Sequence, residues 1–116
     1  MARSALGTKG EELAAEYLEK KGYRLVERNW RCRQGEIDLI FQDGETLVLV
    51  EVKAKSTENF GSPEDMVNAR KQHKLQLLAQ LYPSRCPQKR IDVVALVFSH
   101  EGRLLRLNHY LNAVTD

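Results

Sequence analysis

The stretch that most constrains the fold is residues 35–53, which read GEIDLIFQDGETLVLVEVK. Two largely apolar runs flank an Asp-Gly pair, and this pattern is a strong hairpin signal. The hairpin nevertheless carries Glu36, Asp38 and Glu51 among residues that ought to belong to a core. Like charges on one sheet face repel each other. Any fold that contains this hairpin must therefore offset the repulsion between these carboxylates.

Strand pairing decides which of these side chains meet. A symmetric loop centred on the Asp-Gly pair predicts that Asp38 faces Leu49 and that Glu36 faces Glu51. Because side chains alternate along a strand, each strand contributes every second residue to one face. The first face holds Glu36, Asp38, Ile40, Leu47, Leu49, Glu51 and Lys53, and the second holds Ile37, Leu39, Phe41, Val48, Val50 and Val52. We expect a helix to cover the apolar half of the first face and the charged half to open into a cleft.

Carboxylates at the mouth of a cleft have two explanations. They can lie at a solvated strand end, or they can bind a hard divalent cation that turns their repulsion into ligation. Mg²⁺ takes oxygen ligands in octahedral geometry and keeps several waters. Glu51 and Lys53 form a Glu-x-Lys pair. This pair would set a metal ligand beside a cation that stabilises developing charge or orients an attacking water.

The sequence before and within the hairpin predicts one helix and three strands. Helical spacing places Glu11 on the same face as Ala14 and Leu18. The expected helix covers residues 8–21 and ends at a glycine. A short strand then ends near Trp30. The hairpin strands are expected at residues 36–41 and 46–54.

The second half of the chain predicts one helix and two strands. Ser62 before Pro63 is typical of a helix N-cap, and the helix is expected to run to about Tyr82. IDVVALVFS then predicts an interior strand, LLRLNHY an edge strand, and the tail a short helical turn. The order of helix, three strands, helix and two strands predicts an α/β fold with a central mixed sheet flanked by helices.

Length and composition indicate one globular domain over residues 1–116. The sequence is 42% hydrophobic and 29% charged, which suits a single modest core. It shows no signal-peptide pattern and no apolar run long enough to span a membrane, so a cytoplasmic chain without a membrane partner is expected. Cys32 and Cys86 are isolated, and the three histidines lack the spacing of a zinc site.

Basic residues form two clusters although the net charge is only +2. One cluster surrounds Trp30, and the other lies between Met66 and Ile91, where no acidic residue occurs. Their members are Arg24, Arg28, Arg31 and Arg33 in the first, and Arg70, Lys71, Lys74, Arg85, Lys89 and Arg90 in the second. Basic patches beside an aromatic residue attract a phosphate backbone, although charged runs also form ordinary solvated faces. Arg31, Arg33, Arg70, Lys71 and Lys74 are the candidate nucleic-acid contacts.

The motifs GEIDLI, LVEVK, FGSP, KQHKL and RIDVVAL, in this order over nearly the full chain, resemble the bacterial YraN family of predicted endonucleases. The element order and Glu-x-Lys also resemble the wider PD-(D/E)xK nuclease superfamily, which includes restriction endonucleases and Holliday-junction resolvases. The resemblance implies a restriction endonuclease-like α-β-β-β-α-β core. It further implies Asp38 and Glu51 as ligands of Mg²⁺ or Mn²⁺, the Val52 carbonyl as a third ligand, and Lys53 as the catalytic lysine. Ile37 stands where the superfamily motif has proline.

Other residues have both a site role and an ordinary explanation. The superfamily often supplies an acidic residue from its first helix, which implies Glu11, but Thr8-x-x-Glu11 also fits a capping box. Glu36 can support the acidic cluster or face solvent. Lys71 interrupts an apolar stripe of the second helix with Gln72 beside it. Both are candidate supporting residues, whereas a lysine can equally extend out of such a stripe into solvent.

The leading functional hypothesis is a Mg²⁺-dependent nuclease that hydrolyses the phosphodiester bonds of DNA, including branched or single-stranded forms by analogy with resolvases. The alternative is a nucleic-acid-binding module that keeps the nuclease fold without turnover. Because resolvases act as two-fold dimers, the resemblance also makes a homodimer an expectation. Asp92 is expected to have a structural role, either as the partner of Arg90 or as a strand cap.

Overall fold

The computed structural model describes residues 5–57 and 68–114. Within them lie two helices and five strands, in the order predicted from the sequence. The elements are α1 Ala5–Lys20, β1 Arg24–Cys32, β2 Gly35–Asp43, β3 Thr46–Ser56, α2 Ala69–Leu81, β4 Gln88–Phe98 and β5 Leu104–Tyr110. No helix in these two ranges is both long and apolar enough to cross a membrane.

The strands form one five-stranded sheet in the order β1-β2-β3-β4-β5. Strands β3 and β4 are parallel, and the other neighbouring pairs are antiparallel. A parallel pair needs a long crossover connection, and α2 lies in the connection between β3 and β4. The predicted mixed sheet of a restriction endonuclease-like α/β core is therefore confirmed, with β5 at an edge as expected.

Helix α1 covers one face of the sheet. Its buried residues Ala14, Ala15 and Leu18 belong to one core cluster with apolar side chains of β2, β3 and β4. The helix approaches β3 so closely that a Cβ atom added at Gly10 would lie 2.9 Å from the Cβ of Ala54. Only a glycine leaves room for this contact, which sets the height of the helix above the strand.

Helix α2 covers the opposite face. Leu75, Leu78 and Ala79 cluster with Ile40 and Leu49 of the hairpin. The two hairpin faces predicted from alternation are thus each covered by one helix. Ile37 is the exception and a correction, because it belongs to the α2 cluster rather than to the α1 cluster.

The start of α2 differs from the prediction. The helix begins at Ala69 after Asn68, whose side chain accepts a hydrogen bond from the Lys71 amide at 3.0 Å. The predicted cap at Ser62 and the Pro63 that follows it lie outside the described residues. At the other end, the expected helical turn of the tail is a turn at residues 111–112.

The hairpin register also differs from the prediction. Asp43 pairs with Thr46, and Leu39 pairs with Val50, so each partner is shifted by two residues from the symmetric Asp-Gly loop. Gly44 takes the first position of the loop, where its φ of +61° fits a tight two-residue hairpin turn. A shift of two residues keeps every side chain on its face. It changes which residues are neighbours.

Candidate active site

The site lies where the pairing of β2 with β3 ends. The last backbone pair is Leu39 with Val50, and beyond it the amide of Val52 donates a hydrogen bond to Asp38 Oδ2 at 2.8 Å. The carboxylate of Asp38 thus replaces the backbone of β2 as the partner of β3. The alternation of β2 breaks at the same place, since Ile37 faces α2 together with Ile40. Asp38 is therefore fixed at the fork between two diverging strands.

The backbone of Val52 offers a second oxygen at this fork. In an extended strand, the N–H and C=O of one residue point to the same side. Because the Val52 amide points to Asp38, its carbonyl points to the β2 side as well. This orientation fits the ligand role that the family resemblance implies for Val52.

Asp38 and Glu51 meet inside the protein. They are only 8% and 4% exposed, and their carboxyl groups hydrogen-bond each other. Continuing the observed register by one step brings them side by side, in place of the predicted pairing of Glu51 with Glu36. Burial, followed by the charge of Glu51 and a smaller contribution from Glu11, raises the pKa of Asp38 to about 8. The raised pKa favours the protonated form of Asp38 near neutral pH, because two adjacent buried carboxyl groups repel each other when both are charged.

Two lysines neutralise Glu51. Its Oε2 atom lies 2.8 Å from Lys71 Nζ of α2 and 3.2 Å from Lys53 Nζ of its own strand. Burial alone would raise the pKa of Glu51, but the hydrogen bond with Asp38 and the charges of both lysines lower it. Glu51 is therefore the carboxylate of the pair that stays charged.

Glu11 reaches the site from the other face of the sheet. It is 7% exposed, on the buried side of α1 together with Ala14 and Leu18, and its charge acts on Asp38. The capping-box alternative is wrong, because the helix already includes Ala5 and Thr8 therefore lies inside it. Glu11 of α1 is thus close enough to Asp38 for its charge to act on the acidic pair of β2 and β3.

The donor set has the chemistry of a hard-cation site. In the two described ranges, no group of three His, Cys, Asp or Glu side chains has the geometry to hold a metal ion. Two carboxylates, one backbone carbonyl and several waters nevertheless make a normal Mg²⁺ shell. The contact between Asp38 and Glu51 sets two carboxyl groups side by side, where a cation would offset their repulsion. Asp38, Glu51 and Val52 are therefore the residues that would hold the ion.

A basic cleft of about 540 Å³ lies between α2 and the turn that joins β1 to β2, and neither Asp38 nor Glu51 is among the residues that line it. Lys71 belongs both to this cleft and to the ion pair with Glu51. Cations from both sequence clusters meet here, namely Arg31, Arg33, Lys71 and Lys74. Glu36 also lines the cleft, where it pairs with Arg31 at 2.8 Å instead of lying opposite Glu51. Arg70 and Gln72 belong to α2 but are not among the residues that line this cleft.

Gly35 is a cleft residue that the sequence did not single out. A Cβ atom at this position would lie 2.8 Å from Lys74 Cε and 3.3 Å from Leu78 Cδ1. Its φ of +153° is also one that L side chains rarely adopt. Gly35 therefore lets the turn approach α2 and form a cleft wall. The only sequence signal was a glycine next to a basic turn.

Asp92 lies in a separate buried network. It accepts hydrogen bonds from Arg90 Nε at 3.0 Å and from the Asn112 amide at 2.8 Å, and His109 Nε2 is 2.8 Å away. The predicted pair with Arg90 is confirmed, whereas the contribution of His109 was not predicted. Burial opposes the charge of Asp92, but the bonds with His109 and Arg90 lower its pKa. This network joins the sheet edge to the tail.

Comparisons with known proteins agree with the sequence motifs. The model of the uncharacterised protein family UPF0102 matches residues 10–96. A UPF0102 protein of Pelotomaculum thermopropionicum is 47% identical over 119 aligned positions that cover 97% of each chain. A UPF0102 protein of Desulforamulus reducens is 42% identical over 118 positions with the same coverage. One from an Arthrobacter species is 43% identical over 106 positions, which cover 88% of this chain and 90% of the relative.

The matched residues include both acidic strands, the Glu-x-Lys pair and α2. The similarity to the relatives extends along nearly the whole chain. The chain therefore belongs to the UPF0102 (YraN) family.

Proposed function

We propose that this protein is a divalent-metal-dependent nuclease that hydrolyses phosphodiester bonds, with DNA as its substrate. The observation that carries the proposal is the enforced contact of two buried carboxyl groups, Asp38 and Glu51, beside the ammonium group of Lys53. Burying carboxyl groups next to each other destabilises a fold, so such pairs are found mainly at functional sites. A purely structural role would not require two acids and two lysines around one point.

Each residue has a distinct role in this proposal. Asp38, Glu51 and the Val52 carbonyl hold the ion, and Glu11 adds negative charge from α1. Mg²⁺ or Mn²⁺ supplies Lewis acidity and lowers the pKa of bound water. Lys53 stabilises the negative charge that develops on the phosphate, since its ammonium group lies beside Glu51. The basic cleft binds the backbone of the nucleic acid on the α2 side.

The experiment compares cleavage of single-stranded, duplex and junction DNA in the presence of Mg²⁺ or Mn²⁺. The variants are Asp38→Ala and Lys53→Ala, and Lys20→Ala serves as the control because Lys20 is exposed at the end of α1. We expect both site variants to lose at least about 100-fold in rate, as is typical when a group that stabilises transition-state charge is removed. The control variant should cleave like the unaltered protein.

Two results would contradict the proposal. Cleavage that survives both site substitutions would have to come from a contaminant. Salt-dependent binding without cleavage under any metal would instead support a nucleic-acid-binding module that keeps the fold, and the basic cleft is the surface that such a module would use.

A further inference from the structure

Lys71 lies between Glu51 and the basic cleft. Its ammonium group lies 2.8 Å from Glu51 Oε2, and the same side chain lines the basic cleft and is 32% exposed. Lysine carries its charge on a flexible stem, so it can change partners without movement of the helix. Lys53 differs, because it lies two residues from Glu51 on the same strand. Lys71 therefore connects the acidic pair to the cleft from another element.

The contact with Glu51 uses an oxygen that a metal ion would need. Glu51 Oε2 lies within ion-pair distance of both lysine ammonium groups. An ion at this site would therefore meet competition from the Lys71 ammonium for the same carboxylate. Breaking the Lys71–Glu51 pair costs free energy, and this cost makes the free energy of metal binding less favourable.

A phosphate in the cleft would offer Lys71 another partner. Lys74 lies one turn farther along α2 and lines the same cleft, so two ammonium groups follow each other from Glu51 into it. Successive phosphates of a nucleic-acid strand match such a row of cations. When Lys71 binds a phosphate, Glu51 loses one cation and can accept another.

We propose that Lys71 exchanges between Glu51 and a backbone phosphate, and thereby makes metal binding and nucleic-acid binding mutually reinforcing. This inference rests on the proposed function and adds regulation of the same site. By linkage, each ligand raises the affinity for the other by the same factor. The protein therefore holds metal weakly until a nucleic-acid strand enters the cleft.

The test is calorimetric titration of Mn²⁺ in the absence of nucleic acid. Lys71→Ala should bind Mn²⁺ at least about fivefold more tightly than the unaltered protein, because the competing cation is gone. The matched control is Lys74→Ala, which removes the same charge from the same helix and the same cleft. The Mn²⁺ affinity of Lys74→Ala should equal that of the unaltered protein if the direct contact with Glu51 weakens metal binding. It should rise as in Lys71→Ala if any positive charge near the site weakens metal binding.

A second titration measures the coupling directly. A short single-stranded DNA with phosphorothioate linkages keeps the backbone charge and resists cleavage, so its binding can be followed by fluorescence anisotropy with and without Mn²⁺. The unaltered protein and Lys74→Ala should bind it at least about fivefold more tightly with Mn²⁺. Lys71→Ala should lose most of this enhancement.

The outcomes separate this inference from the proposed function. If the unaltered protein binds Mn²⁺ but Lys71→Ala binds it no more tightly, the exchange is wrong and the nuclease proposal stands. The exchange is also wrong if Lys74→Ala gains Mn²⁺ affinity equally, or if coupling persists in Lys71→Ala. If the unaltered protein binds no Mn²⁺ even when the phosphorothioate DNA is present, the proposed function fails, and the exchange fails with it.

Discussion

At Asp38, one carboxyl group accepts a hydrogen bond from the Val52 amide and forms another with the Glu51 side chain. Both contacts arise because β2 and β3 separate at this residue. The side chain therefore has a structural role as well as the proposed ligand role. A substitution that keeps the hydrogen bonds can separate the two roles.

The shifted pKa of Asp38 predicts that the chain without metal loses stability as the pH rises. Between its usual value of 3.8 and its folded value of about 8, the folded chain keeps a proton that the unfolded chain has released. The contribution is thus complete below pH 3.8 and is lost as the pH rises through about 8. The free energy of unfolding should fall by at most about 1.4 kcal/mol per pH unit.

The substitution Asp38→Asn provides the comparison. The new amide can still accept from Val52 and donate to Glu51, so it resembles the protonated acid. Urea denaturation with a chelator at several pH values should show a flatter profile for the Asp38→Asn variant than for the unaltered chain, together with weaker Mn²⁺ binding. Parallel pH profiles would show that Asp38 is ionised in the folded protein.

At the scale of elements, the site depends on how closely each helix approaches the sheet. Helix α1 brings Glu11 to Asp38 because Gly10 lets it rest on Ala54. Helix α2 brings Lys71 to Glu51, and Asn68 fixes the start of that helix through the Lys71 amide. The two helices thus deliver opposite charges to the same pair of strands.

Gly10→Ala should destabilise the protein, because the added Cβ would lie 2.9 Å from the Cβ of Ala54. Overpacking of this kind costs about 1–3 kcal/mol, measured as the free energy of unfolding in urea. The matched variant is Ala54→Gly, which removes the opposing atom. In the double variant the cost of Gly10→Ala should be much smaller, whereas simple additivity would mean that this contact is not responsible.

At the scale of the whole molecule, buried charged residues occur in two separate groups, the candidate site and the Asp92 network. Asp92 is fully buried, and its hydrogen bonds join β4 to the tail and, through His109, to the edge strand β5. These contacts are all internal. Glu51 of the candidate site instead contacts Lys71, which lines the basic cleft. Of the two arrangements, the second is the one suited to a ligand.

Asp92→Ala should therefore act on stability and leave the site intact. Removing one partner of a buried ion pair costs about 3–5 kcal/mol, which urea denaturation would measure. Asp43→Ala is the control, since Asp43 pairs with the same Arg90 at 3.5 Å but is 46% exposed. It should cost less than about 1 kcal/mol. Equal losses would contradict the assigned role, and so would weaker Mn²⁺ binding by folded Asp92→Ala.

The element order, the two hairpin faces and the Glu51–Lys53 pair could be predicted from the sequence because periodicity and short motifs are local information. Alternation alone correctly placed Ile40 and Leu49 under one helix and Leu39 and Val50 under the other. The register could not be predicted in the same way. It depends on which residues close the loop, and the shift of two residues made Asp38 rather than Glu36 the neighbour of Glu51.

Only the tertiary structure decided which side chains from other elements lie near Asp38 and Glu51. Glu11 and Lys71 come from opposite faces of the sheet. Arg31 and Arg33 line one cleft with Lys74 although they lie far from it in the sequence. No local pattern contains such proximities, because they follow from the packing of helices against a sheet. The sequence by itself determined the acidic strand ends and the Glu-x-Lys pair. Packing determined that Asp38 meets Glu51, that two lysines contact Glu51, and that one of them, Lys71, also lines the basic cleft.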